Sequence, residues 1–67
     1  MAVVKIVELI GTSETSWEDA AKHAVDQAAK TIRNITGVDV VGQNATIQDN
    51  KITEFKANVK IAFLVER

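Results

Sequence analysis

Hydrophobic and polar positions alternate most regularly near the C-terminus of the chain. One side of residues 51–66 is almost entirely apolar and is formed by Thr53, Phe55, Ala57, Val59, Ile61, Phe63 and Val65. Successive side chains of a β-strand point to opposite faces of a sheet, so this alternation predicts a long strand. The opposite side is polar over residues 54–60 and becomes apolar at Ala62 and Leu64.

A helical period comes earlier in the chain. Apolar residues recur at spacings of three and four, at Trp17, Ala20, Ala21, Ala24, Val25, Ala28, Ile32 and Ile35. This spacing is typical of one face of an α-helix. Ser16 with Asp19 three positions later resembles a capping box, and Ser13 is an alternative N-cap. The helix is predicted to end at Thr36 and Gly37, where glycine allows a left-handed cap.

Two further strands are predicted from β-branched runs and turn residues. Residues 3–10, which end at Gly11, form the first strand, and residues 11–16 form a loop. Residues 38–48 form the second strand, with a bend or bulge at Gly42. Asp49 and Asn50 then make a two-residue hairpin turn, since both tolerate positive φ.

These elements predict an α+β fold in β-α-β-β order over residues 1–67, taken as one domain. The third strand fits antiparallel between the other two, and the three-stranded sheet partly wraps the helix. That strand would span roughly 50 Å and the helix only about 27 Å, so one helix cannot cover the sheet. A chain of 67 residues with no cysteine has neither a large core nor disulfides to stabilise it. We therefore expect the chain to associate with copies of itself.

Charge and hydropathy exclude several classes of partner. The chain has eight Lys and Arg residues and nine Asp and Glu residues, and the positive charges are spread along the sequence. This is not the basic footprint of a nucleic-acid-binding protein. No apolar run reaches the roughly 20 residues of a membrane helix, and residues 1–5 do not resemble a signal peptide. A cytoplasmic location is expected. On the polar side of the helix, Glu18–Lys22 and Asp26–Lys30 are oppositely charged pairs four residues apart.

The sequence contains no pattern typical of a catalytic site. Glycine-rich phosphate loops, a cysteine nucleophile and the G-x-S-x-G motif are all missing, so an enzyme is not expected. Ser13 and Ser16 are interpreted as helix caps, although Asp19 and His23 lie one helical turn apart beside them.

Two other features have a structural and a functional interpretation. Trp17 is expected to pack in the helix face, and stacking on a ligand is the alternative. Asp49 and Asn50 are expected to serve the turn, and their oxygens are the type of ligand that calcium prefers.

Four segments together resemble one known family. They are ELIGTSETSWEDAAKHAV, TIRNITGVDVV, ATIQDNKI and FKANVKIAFLVE, and they resemble the dodecins over nearly the whole chain. The resemblance implies the same β-α-β-β fold and a hollow homododecamer. It also implies a protein that binds and stores a flavin, either riboflavin or FMN.

The resemblance also indicates where a flavin would bind. In the family a tryptophan just after the helix stacks on the flavin ring, between symmetry-related subunits, and the matching position here is Gly37. A glutamine that contacts the flavin edge in some members matches Lys56. Trp17 matches a helix position that is usually a buried aromatic residue or leucine. Because the stacking ring is missing, the alternative is a dodecin-like cage without flavin that binds calcium or another small ligand. A calcium-binding subgroup with a similar TSWE helix start also lacks this tryptophan.

Overall fold

The fold has the predicted order of elements. A computed structural model describes residues 2–65, with β1 at Val4–Ser13, α1 at Trp17–Ala29, β2 at Ile35–Gln48 and β3 at Lys51–Leu64. The strand order in the sheet is β1-β3-β2, and β3 is antiparallel to both neighbours. The prediction of a β-α-β-β fold with the third strand in the centre is therefore confirmed.

Strand β1 is longer than predicted. Gly11, Thr12 and Ser13 are not part of a loop but continue the strand, opposite Ala57, Lys56 and Phe55 of β3. Gly11 is buried directly beneath the helix. A Cβ at this position would overlap the carbonyl oxygen of Ala20 and lie 3.0 Å from the Ala24 Cβ. Glycine therefore lets the strand continue under α1 instead of ending before it.

The helix begins as predicted but ends earlier. Ser16 is extended, with φ −167°, and its Oγ accepts a hydrogen bond of 3.0 Å from the Asp19 backbone N–H. The helix ends at Ala29, not at Thr36 and Gly37, so that prediction is wrong. The left-handed residue is Asn34, with φ 64°, and its carbonyl accepts a hydrogen bond from the Leu64 N–H.

The hairpin between β2 and β3 follows the prediction closely. Asp49 and Asn50 have φ values of 52° and 63°, as a two-residue turn of this kind requires. The register of β2 against β3 shifts between Val40 and Gly42, which confirms the predicted irregularity at Gly42. Two more shifts occur near the two ends of β2. Gly37 pairs with Ala62 beside one of these shifts and has no positive φ.

The core lies between α1 and one face of the sheet. Its buried members are Ala20, Ala24 and Ala28 of the helix and Ala57, Val59 and Ile61 of β3. Alanines allow the helix to approach the strands closely. With 13 residues, α1 is only about 20 Å long, whereas the described chain extends over 51 Å. Much of the sheet is left uncovered by the helix.

Gly11 provides a test of this close approach. Gly11→Ala is expected to lower the free energy of unfolding by about 3 kcal/mol, because the added methyl group has no space beside Ala20. Gly42→Ala is the matched control, since a Cβ there meets nothing within 4 Å, and it should change stability by less than about 1 kcal/mol. Urea unfolding followed by circular dichroism at one protein concentration compares the variants. Equal stability of the two variants would contradict the role given to Gly11.

Candidate functional site

Both residues suggested for ligand binding lie on the sheet face that points away from α1. We call this the free face. Because Ala57, Val59 and Ile61 face the helix, the intervening residues of β3 belong to the free face. Lys56 is one of them, and Gly37 joins them through its pairing with Ala62.

Gly37 lies at an apolar end of the free face. The residues around it across the three strands are Val4, Ile6, Ala62 and Leu64. Ile6 is 61% exposed and Val4 is 51% exposed, so this apolar surface is open. A Cβ placed on Gly37 meets nothing within 4 Å. The end of the free face is therefore flat, apolar and accessible, with room for a planar group or a large side chain.

A charged row borders the apolar end. Lys60 of β3 pairs with Glu8 of β1 on one side and with Asp39 of β2 on the other. The row alternates in sign across the sheet and provides polar groups next to the apolar surface. In the following row, Asn58 buries its side-chain oxygen without a hydrogen-bond partner among the described residues. The free face thus changes from apolar to charged over a short distance, and Ile10, in the row of Asn58, is again apolar and exposed.

Lys56 is far from Gly37 within one chain. It pairs with Thr12 and Asn44, six residues along β3 from Ala62. At about 3.3 Å per residue, this separates the two rows by about 20 Å. A single chain does not bring the two proposed ligand-binding residues together.

Trp17 packs on the opposite side of the sheet from Gly37. Its indole N–H donates a hydrogen bond of 2.8 Å to the Asn44 backbone carbonyl. Its ring meets Phe55 edge to face, with centroids 4.8 Å apart. These contacts connect the first turn of α1 to β2 and β3. They favour the interpretation of Trp17 as a packing residue.

The polar cluster at the start of α1 does not have the geometry of a catalytic triad. Ser13 Oγ donates a 2.7 Å hydrogen bond to Asp19 Oδ2, and His23 Nε2 lies 3.4 Å from the same oxygen. The carboxylate therefore stands between the hydroxyl and the imidazole, so His23 is not positioned to take a proton from Ser13. Ser13 Oγ also accepts a hydrogen bond of 2.9 Å from the Thr15 N–H, which holds the turn before the helix.

Candidate metal ligands are not clustered within residues 2–65 of one chain. The described residues contain no group of three or more His, Cys, Asp or Glu side chains that could hold an ion. Asp49 and Asn50 are exposed at the tip of the hairpin. They serve the turn, as the positive φ values show.

The helix α1 is too short and too polar to cross a membrane.

Sequence reasoning located Ala62 and Leu64 but missed the apolar surface on the neighbouring strand. Val4 and Ile6 belong to the predicted first strand, and the structure exposes both on the free face. The alternation of Val4, Ile6, Glu8 and Ile10 was the available signal. It becomes informative only once the register against β3 is known.

Sequence comparisons connect the chain to known proteins. The family model described as Dodecin matches residues 3–66. The chain is 34% identical over 64 residues to the dodecin of Thermus thermophilus, which covers 96% of this chain and 93% of that protein. It is 32% identical over 63 residues to the calcium dodecin of Mycobacterium tuberculosis, covering 94% of this chain and 89% of that protein.

Solved structures agree with these matches. A crystal structure of a T. thermophilus dodecin mutant has a TM-score of 0.95 at 33% identity, with both chains covered completely. The crystal structure of M. tuberculosis calcium dodecin, which has a calcium-binding site, gives a TM-score of 0.84 at 30% identity. That alignment covers 96% of this chain and 91% of the other.

The packing role of Trp17 can be tested by truncation. Trp17→Ala is expected to lower the free energy of unfolding by about 3 kcal/mol, because the ring packs on Phe55. Trp17→Phe keeps an aromatic ring and loses the hydrogen bond to Asn44, so it should cost only about 1 kcal/mol. Thermal and urea unfolding followed by circular dichroism measure both. Unchanged stability with lost ligand binding in Trp17→Ala would instead assign the ring to a ligand site.

Proposed function

We propose that this chain, which belongs to the dodecin family, is the subunit of a hollow homododecamer that binds and stores a flavin. Dodecins are non-enzymatic proteins that bind small ligands. The observation that carries the proposal is the flat apolar end of the free face around Gly37. Riboflavin or FMN is the proposed ligand.

The chemistry of the free face supports a planar heterocycle as ligand. An isoalloxazine ring has two broad apolar faces and a polar edge. The exposed side chains of Val4 and Ile6 match the faces of such a ring. The neighbouring row of Glu8, Lys60 and Asp39 supplies donors and acceptors for its edge.

The distance between Gly37 and Lys56 supports a site shared between copies. Their rows lie about 20 Å apart in one chain, so the two residues would meet one small ligand only if they came from different subunits. Lys56 would then place a positive charge near the ring or near an FMN phosphate. Since Gly37 has no ring to stack on the flavin, we expect the unmodified chain to bind weakly.

Uncovered apolar surface supports assembly into a large oligomer. Besides the free face, β2 exposes Val38, Val40 and Val41 at 48%, 47% and 50%. Contiguous exposed apolar surface of this kind usually marks an interface. Surfaces on both faces of the sheet require more than one kind of contact between copies. A closed shell of twelve subunits meets that requirement.

Calcium is the second candidate ligand, and the similarity to the M. tuberculosis calcium dodecin favours it. Among residues 2–65 of a single chain, no three His, Cys, Asp or Glu side chains lie close enough together to hold an ion. A calcium site would therefore use oxygens from more than one copy. Glu8 and Asp39 on the free face are the carboxylates closest in register to the apolar end.

Adding the ring at Gly37 tests the flavin proposal. Gly37→Trp is expected to strengthen binding of riboflavin and FMN by about ten- to a hundredfold, since stacking on one ring contributes about 1–3 kcal/mol. A Cβ at Gly37 meets nothing within 4 Å, so the added side chain starts in open space. Quenching of flavin fluorescence during titration measures both affinities.

Gly42→Trp is the matched control for this experiment. Gly42 is also on the free face with open space above it, but it pairs with Asn58, away from the apolar end. It should leave flavin affinity unchanged. Failure of the unmodified chain and of Gly37→Trp to bind flavin would contradict the proposal, and calcium titration by calorimetry would then test the second candidate.

The size of the assembly is a separate test. Light scattering after size-exclusion chromatography is expected to give a mass of about twelve times 7.3 kDa at micromolar concentration. Nothing else within residues 2–65 covers the apolar surfaces described above. A folded monomer under these conditions would contradict the proposed assembly, whatever the ligand.

A further inference from the structure

An open groove lies between α1 and β2. Its volume is about 350 Å³, and its walls are formed by Glu18, Ala21, Lys22, Val25, Asp26 and Val38. The helix lies mainly over β1 and β3, so its side towards β2 is only loosely covered. Ala21 and Val25 are half-buried, and Val38 is 48% exposed.

The outer wall of this groove carries a stripe of alternating charge. Four exposed residues spaced by four form the stripe, namely Glu18, Lys22, Asp26 and Lys30. Lys30 is the C-cap residue and has a helical φ of −70°, so its side chain extends the row by one more position. Residues spaced by four form one of the ridges by which helices pack against each other.

The charges of this stripe are complementary to those of a second, antiparallel copy of the same stripe. Two antiparallel copies of α1, related by a two-fold axis at the level of Ala24, place Glu18 opposite the partner's Lys30. The same axis places Lys22 opposite the partner's Asp26. Each pair occurs twice, and every acidic residue then lies at the same height along the helix pair as a basic one. A parallel arrangement in the same register would place like charges together.

An apolar ridge runs beside the stripe and includes Ala21 and Val25. A two-fold axis between two antiparallel helices maps each row of residues onto the equivalent row of the partner helix. Both rows then lie on the same side of the helix pair. The two charged rows would therefore meet on the outside, and the apolar ridges would lie between the helices. The small side chain of Ala21 allows the two helices to approach closely.

We propose that the α1–β2 groove is a two-fold contact between two copies of this chain, with antiparallel α1 helices centred at Ala24. The occupant of the groove is the α1 helix of the second copy. The inference rests on the proposed assembly and adds the identity of one of its contacts. It makes Val25 and its symmetry mate near neighbours across the axis.

A single cysteine tests the position of the axis. Val25 and its mate would differ by two residues along the helix axes, about 3 Å, within reach of a disulfide. The Val25→Cys variant is expected to form a covalent dimer under mild oxidation, seen on a denaturing gel. The chain has no cysteine of its own, so no other disulfide competes.

Ala29→Cys is the matched control on the same ridge. Ala29 and its mate would differ by ten residues along the axes, about 15 Å, which is too far for a disulfide. This variant should remain uncrosslinked at equal concentration. Assembly of Val25→Cys without crosslinking, or equal crosslinking of both variants, would overturn the proposed contact while leaving the assembly itself intact. A monomeric wild-type chain would overturn both.

Charge exchange separates contacts between copies from contacts within one helix. The crossed exchange, Glu18→Lys with Lys30→Glu, keeps every pair between copies but places like charges together at 18/22 and 26/30 within the helix. The local exchange, Glu18→Lys with Lys22→Glu, keeps the 18/22 pair but makes every pair between copies repulsive. Both preserve the net charge.

Dissociation on dilution, followed by sedimentation velocity at low ionic strength, compares the two exchanges. The local exchange is expected to dissociate at a concentration about tenfold higher than wild type, and added salt should reduce the difference. The crossed exchange should dissociate like wild type. A crossed exchange that dissociates more readily than the local one would overturn the proposal, because the stripe would then serve its own helix.

Discussion

The close contact between α1 and β1 at Gly11 determines how the rest of the subunit is arranged. The strand passes so near the Ala20 carbonyl that no side chain fits between them. This contact holds the helix over β1 and β3, where its alanines meet Ala57 and Val59. Because α1 is fixed on that side of the sheet, β2 is left largely uncovered. The groove beside Val38 is a direct result.

A sheet much longer than its helix has two kinds of uncovered surface. On the helix side, the groove combines an apolar floor with a row of alternating charge. On the free face, Ile6 and its neighbours form a flat apolar end next to a charged row. The first surface suits a second helix of the same kind, and the second suits a planar ligand. One short helix thus leaves room for both assembly and ligand binding.

Local sequence was sufficient to predict most of the fold. Asp49 and Asn50 indicated the hairpin, Ser16 indicated the start of the helix, and the alternation in β3 indicated the central strand. The predicted end of α1 was wrong because Ile32 and Ile35 continue the helical spacing, although both pack against the core from outside the helix. The site was harder to predict. Lys56 lies on a predicted strand, whereas Gly37 was predicted to end the helix and belongs instead to β2. Whether the two residues share a ligand depends on a second copy, and one chain's periodicity carries no such information.

The irregular register of β2 affects how copies of this chain can associate. Both β1 and β2 are edge strands, and an edge strand presents unpaired backbone groups to which further strands can add without limit. The register of β2 shifts three times along its length. Bulges twist an edge and interrupt the regular spacing of its free N–H and C=O groups. Fibre-like growth along this edge is therefore disfavoured, which is compatible with the closed particle proposed above.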